Sequence, residues 1–132
     1  MPRGKIELEN YVESLSILDE EGNADESLAP KLEPQELRRL LRALLTARRY
    51  DERMLKLQRQ GRIGTYGPAI GQEAASLGPA YVLSKKDWMI PSFREPAGMI
   101  YRGWPMEKLM LWWGGNEYGS ATPEGVRDTP IC

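Results

Sequence analysis

An α/β chain that is mostly helical, with one or two short strands, is predicted by three observations. Apolar residues recur at helical spacing from Leu37 through Leu57, the signature of an amphipathic helix. One short apolar run, Trp88-Met89-Ile90-Pro91-Ser92-Phe93, lies between turn residues and fits a buried parallel strand. The remaining apolar stretches, 96–102 and 105–113, read as two short helices joined at Gly103-Trp104, with Pro105 opening the second.

The elements follow in order. Residues 1–33 form an acidic N-terminal arm. The weak alternation from Val12 to Leu18, followed by the turn residues Asp19 to Asn23, fits a strand or hairpin. The acidic composition equally fits a disordered tail. Residues 34–132 form the second region. Pro34 suits the first turn of a helix, and Glu33 and Glu36 suit its positive end. Leu37, Leu40, Leu41, Leu44 and Leu45, then Tyr50, Met54 and Leu57, carry that helix to Gln60, and Gly61 stops it. Residues 61–70, with three glycines and a proline, are loop. Residues 71–83 form a second helix expected to bury Ala74, Ala75, Leu77 and Tyr81, with a kink or a change of helix at Gly78-Pro79. The segment 114–132 is expected to be loop. One strand cannot make a sheet, and nothing in that tail looks able to pair with it. Trp88, Ile90, Trp104, Trp112 and Trp113 would then be exposed, so the chain is expected to be part of something larger.

Composition narrows the chemistry. A length of 132 residues suits one modest domain. No apolar run approaches the roughly 18 residues of a membrane span, and the opening Met1-Pro2-Arg3-Gly4-Lys5 is not a secretory signal. The single cysteine, Cys132, forbids an internal disulfide and points to a cytoplasmic chain. Histidine is absent, which removes the commonest general base and metal ligand. The net charge of −1 hides an asymmetry: residues 1–33 carry nine acidic and three basic side chains, and residues 34–132 carry ten acidic and fifteen basic. The arginines from Arg38 to Arg62 share a helix with core-spaced leucines and lack interleaved aromatics, so a solvated or interface face is expected, not a nucleic-acid surface.

Few residues suggest chemistry. The helix restart at Gly71-Gln72-Glu73 directs backbone N–H groups and a positive helix end into the space bordering the turn, an anion-site geometry. Glu73 either anchors a cofactor or a partner's group, or simply complements the helix dipole. Arg94, at the end of the strand run, suits a phosphate or diphosphate through two parallel hydrogen bonds, or else an ion pair with Glu95. Tyr66 offers one hydroxyl on a glycine-rich rim. Asp51 and Glu52 are adjacent on a helix and diverge, so they do not act on one substrate atom. No phosphate loop, GxGxxG or metal-ligand cluster is present.

These residues also carry a family resemblance. Ser16 to Gly22, Leu57 to Arg62, Tyr66 to Ala74 with Gly71-Gln72-Glu73-Ala74, Pro91 to Glu95, Tyr101 to Pro105, and Pro123 to Val126 stand in unbroken order. Together they resemble the alpha subunit of the E1 component of 2-oxo acid dehydrogenase complexes, the two-chain type acting on pyruvate or branched-chain 2-oxo acids. The resemblance implies an incomplete thiamine-diphosphate-binding fold, an α₂β₂ heterotetramer, and oxidative decarboxylation with transfer of the acyl group to the lipoyl domain of E2. In that family a Tyr-Arg pair after the short strand touches the cofactor. Here it stands as Phe93-Arg94, so ring packing at Phe93 and diphosphate binding at Arg94 carry over while a tyrosine hydroxyl does not. Tyr66 lies on the substrate side by the same analogy, and the arm at 12–30 is ordered against the rest of the assembly.

The family holds Mg²⁺ with a Gly-Asp-Gly…Asn signature further along a longer chain, and that signature is absent here. The resemblance therefore implies partners: an E1 beta subunit, the remainder of the alpha subunit, and a lipoyl domain. It implies no catalytic residue and no metal ligand within this chain, which is expected to be inactive alone. Pyruvate is favoured on Pro123-Glu124-Gly125-Val126. The alternatives are a non-catalytic interaction module and an inactive truncated product.

Overall fold

A computed structural model describes residue 10 and residues 12–128. The first nine residues of the acidic arm, Tyr11, and residues 129–132 with the sole cysteine lie outside that range. The chain divides into two compact units between Leu32 and Glu33.

In the first unit the turn predicted at 19–23 forms. The Asp19 carboxylate accepts from the Asn23 backbone N–H at 2.7 Å and from its side-chain amide at 2.9 Å. An antiparallel bridge between Leu18 and Ala24 closes the turn. Asp25 repeats the device on Ser27, whose backbone N–H and hydroxyl it accepts at 2.9 and 2.6 Å. Such local side-chain bonds are how Asp directs turns.

The second unit contains five helices among the described residues: α1 (Pro34–Arg59), α2 (Glu73–Val82), α3 (Pro96–Arg102), α4 (Met106–Trp113) and α5 (Glu117–Ser120). α1 begins on Pro34 with Glu36 in its first turn and ends with Lys56 and Arg59 in its last, both matched to the helix dipole. Its end is closed by Gly61 N–H to Gln58 O at 2.9 Å and Arg62 N–H to Leu57 O at 3.0 Å. That double closure needs a left-handed residue, which Gly61 supplies at φ 68°.

α3 ends the same way at Gly103, φ 110°. The turn swings Trp104 back so that its N–H meets Met99 O at 3.0 Å and its ring enters the core. Trp104, expected on the surface, is only 2 % exposed. It packs with Tyr50, Met54, Tyr66, Met99 and Leu109. A smaller cluster of Ala47, Leu77 and Ala97 joins α1, α2 and α3.

Other expectations are corrected. The apolar run at 88–93 forms no strand: among the described residues it makes one parallel bridge, Met89 to Asp128, with Met89 N–H donating to Arg127 O at 3.0 Å. The tail therefore does supply a pairing partner. It also contains α5, whose first turn is capped by Asn116 accepting from Tyr118 N–H at 2.9 Å. α2 runs unbroken through Pro79. It buries Glu73, Ser76, Leu77 and Ala80, while Ala74 and Ala75 face out. Three of the five leucines from 37 to 45 on α1 are also outside: Leu37, Leu41 and Leu45 are exposed, whereas Leu40 and Leu44 pack on the small cluster. The fold is thus mostly helical, and no sheet is present among the described residues.

Met89 and Asp128 meet over a clamp. Arg102 donates through Nε to buried Asp128 at 2.7 Å, and through its two terminal nitrogens to Ser84 O at 3.2 Å and Asp87 O at 2.8 Å. One guanidinium thus ties the tail and the 84–87 turn to α3, fixing the segment that leads into Phe93.

Candidate functional site

The site is built around the loop between α1 and α2. Its deepest group is Asp51, in the interior of α1 and 1 % exposed. Asp51 Oδ1 accepts from the Tyr66 hydroxyl at 2.6 Å and from the Ala69 backbone N–H at 2.8 Å. Burial first, and then the hydrogen bond to Asp51, push the Tyr66 hydroxyl far above the usual tyrosine range. Tyr50 is pushed up as well, by burial and the same carboxylate's charge. Both phenols are therefore held neutral, and Tyr66 donates to Asp51. Tyr66 does not present its hydroxyl to the rim of the loop. It is buried, and its ring meets Trp113 edge-on, centroids 4.8 Å apart at 78°.

Phe93 and Arg94 stand on the outer side of that loop. Phe93 is 49 % exposed, and its Cδ2 lies only 3.0 Å from where a side-chain carbon on Gly67 would sit. The loop and the Phe93 ring are therefore in direct contact, and only a glycine fits there without displacing the ring. Phe93 also lines a cavity of about 220 Å³ with Trp112, Trp113 and Gly115. The Arg94 guanidinium lies 5.3 Å from the Phe93 ring centroid, within stacking range. Arg94 is exposed, and among the described residues it forms no ion pair. Glu95 accepts only its backbone N–H, at 3.2 Å.

The helix restart behaves differently from its expected anion-site geometry. Glu73 places one oxygen on the Arg48 Nε and the other on the Gly71 N–H, at 3.1 Å. The positive end of α2 is thus already met by a carboxylate of its own chain. The bond from Arg48, the largest influence, holds Glu73 below the usual carboxylate range. Among the described residues, Arg94 beside Phe93 forms no ion pair.

Two of the residues singled out by sequence, Phe93 and Arg94, stack on each other; the Tyr66 loop reaches Phe93 through Gly67, while Tyr66 itself turns inward to Asp51. Asp51 is the member that sequence reasoning passed over. Asp51 and Glu52 do diverge, with Glu52 bonded to Arg49 at 3.0 Å on the surface. The missed signal was that position 51 falls inside the stripe of Ala47, Tyr50 and Met54, where a carboxylate must find buried partners. Trp112 and Trp113 were noted only as exposed apolar residues, yet they are half-buried and line the cavity. Among the described residues no group of three or more acidic or cysteine side chains converges to hold a metal ion. No helix there is long and apolar enough to cross a membrane.

An exposed guanidinium without a counter-ion, stacked on an aromatic ring beside an aromatic cavity, suits a diphosphate attached to a flat apolar ring system. By their chemistry the residues present fit a diphosphate. Comparison with known proteins agrees in family. The profile of the family "Dehydrogenase E1 component" matches residues 41–130. The chain is 42 % identical over 106 residues to the pyruvate dehydrogenase E1 component subunit alpha of Acholeplasma laidlawii, covering 80 % of this chain and 31 % of that protein. It is 39 % identical over 115 residues to the protein of the same name from Staphylococcus aureus strain Mu50, with 86 % and 31 % covered. The Staphylococcus epidermidis protein of that name is 37 % identical over 121 residues, with 91 % and 33 % covered. The chain thus spans about a third of the length of the curated relatives it matches. It belongs to the dehydrogenase E1 component family.

Proposed function

We propose that this chain supplies the alpha-side wall of a thiamine diphosphate site in a 2-oxo acid dehydrogenase, with pyruvate as the favoured substrate. The observation that carries the reading is Arg94: exposed, without an ion-pair partner among the described residues, and stacked on Phe93 beside an aromatic cavity. The relatives' names support pyruvate over a branched-chain acid.

When bound, thiamine diphosphate supplies the carbon nucleophile for the 2-oxo carbon and the sink for the electrons left as CO₂ departs. The residues of this chain bind and shape. Arg94 offers the diphosphate two parallel N–H donors and neutralises part of its charge. With the cofactor bound, the Phe93 ring would back the Arg94 guanidinium and keep water from that face. The Tyr66 loop contributes through the wall it forms with Gly67, since the Tyr66 hydroxyl is held by Asp51. Mg²⁺ ligands and acid–base groups come from outside this chain, from the remainder of the alpha subunit and from a beta subunit in an α₂β₂ assembly. A lipoyl domain of E2 receives the acyl group, and the single cysteine favours the cytoplasm as the compartment.

Assembly with the rest of an alpha subunit and a beta subunit is expected to give pyruvate-dependent reduction of an artificial electron acceptor that requires thiamine diphosphate. An assembly that forms and binds the cofactor, yet decarboxylates no 2-oxo acid, would refute this reading.

A further inference from the structure

We propose that Asp51 is a positioning residue: from inside α1 it fixes the loop 61–72, and thereby sets Gly67 against Phe93. Its functional weight rests on the cofactor reading above; its structural content does not. Among the described residues, no backbone–backbone hydrogen bond is made by residues 63–68 outside helices. The loop crosses from α1 to α2 without a ladder of its own. Across its middle, one carboxylate oxygen reaches Tyr66 at 2.6 Å and Ala69 at 2.8 Å, on either side of Gly67. Both bonds run from neutral donors to an acceptor excluded from water, the setting in which such bonds are strongest. The other oxygen, Oδ2, is buried with no partner among the described residues, and so is the Tyr50 hydroxyl beside it in sequence. Half-satisfied burial of a carboxylate is costly. An apolar residue at position 51 would pack into the stripe without that cost and would leave the loop untied.

The geometry also explains how a residue that touches no ligand influences the wall. Tyr66 abuts Trp113, and Trp113 lines the cavity with Phe93. Gly67, between the two anchored residues, meets the Phe93 ring, and Arg94 rests on that ring. Releasing Oδ1 frees both ends of the segment against Phe93.

Amide hydrogen exchange read by mass spectrometry, on the chain within its assembly, tests this. Asp51→Asn keeps the shape but loses the charge. It is expected to speed exchange of the 61–72 peptide by about tenfold, the loss of roughly one charge-assisted bond, and to leave the α3 peptide unchanged. Tyr66→Phe, which keeps the buried ring, is expected to speed the same peptide less. The double variant is expected to be no faster than Asp51→Asn, because both act on one anchor. Unchanged loop exchange, equal acceleration of all peptides, or additive effects in the double variant would overturn the proposal. Should Asp51→Asn fail to fold, Tyr66→Phe alone decides it by the same comparison.

A thiamine diphosphate titration separates the two claims. Weakening by both Asp51→Asn and Arg94→Ala supports both. Weakening by Arg94→Ala alone overturns the positioning role of Asp51. A loosened loop in Asp51→Asn with no effect of Arg94→Ala overturns the cofactor reading and leaves the anchor standing.

Discussion

Glu73 sits in the first turn of α2 with one oxygen on the Arg48 guanidinium and the other on the Gly71 N–H. Its pKa is lowered chiefly by Arg48, and the sign of the pH effect follows. A carboxylate with a depressed folded-state pKa contributes stability that is fully present above its unfolded value near ~4.3 and is lost as pH falls through the folded value. Glu73→Gln, which cannot ionise, is expected to lower the urea midpoint of the chain at pH 7. The gap from the parent should close as the pH falls below about 4. A constant gap from pH 7 to pH 3 would show that the ion pair is not its source. At this scale sequence reading was least reliable. A helix-terminal Glu and an interior Asp look alike in a string of letters. Only the partners distinguish them: Arg48 is 25 positions from Glu73, and Tyr66 is 15 from Asp51.

α2 and α3 are joined at a point where there is no room for a side chain. The Gly98 N–H donates to Ser76 Oγ at 2.9 Å. A side-chain carbon on Gly98 would come within 2.9 Å of the Ser76 carbonyl oxygen and 2.8 Å of the Met89 methyl. Met89 can yield; the backbone carbonyl cannot without moving a helix. Gly98→Ala is therefore expected to destabilise by about 1–3 kcal/mol, the usual cost of overpacking, outweighing the alanine's better helix propensity. Chemical denaturation checks this, and a neutral or stabilising result would mean the two helices are not held this closely. The same contact explains which elements were legible. α1 carries redundant signals, with Pro34, a long apolar stripe and Gly61, so its limits are readable. α2 is short and small-residued, and its buried face is set by Arg48 and Gly98, which lie outside it. The run at 88–93 has the apolar content of a strand, but a strand exists only with a neighbour. Among the described residues Met89 finds a single bridge at Asp128, while Trp88 and Ile90 remain more than 60 % exposed.

Across the whole molecule, apolar surface is left outside on more than one element. Leu37, Leu41 and Leu45 line one side of α1 among Arg38, Arg42 and Arg49, and Trp88 and Ile90 stand out from the segment leading to Phe93. The chain matches about a third of its relatives' length, and apolar faces of this kind mark interaction surfaces. The adjacency of Phe93 and Arg94 is plain in the sequence, but the strand expected to deliver them is reduced to one bridge at Met89. The cavity with Trp112 and Trp113, and the Asp51 tether behind it, required the fold, because they join residues from α1, the loop and α4. The central claim is that Arg94 meets the diphosphate of thiamine diphosphate, and calorimetric titration of the assembled protein tests it most directly. Losing two charge-assisted hydrogen bonds should cost Arg94→Ala about 2–4 kcal/mol, a rise in Kd of roughly 30- to 1,000-fold. Arg94→Lys should recover only part of that, since an ammonium offers the charge without the fork. A thiamine diphosphate Kd for Arg94→Ala equal to that of the parent would contradict the account.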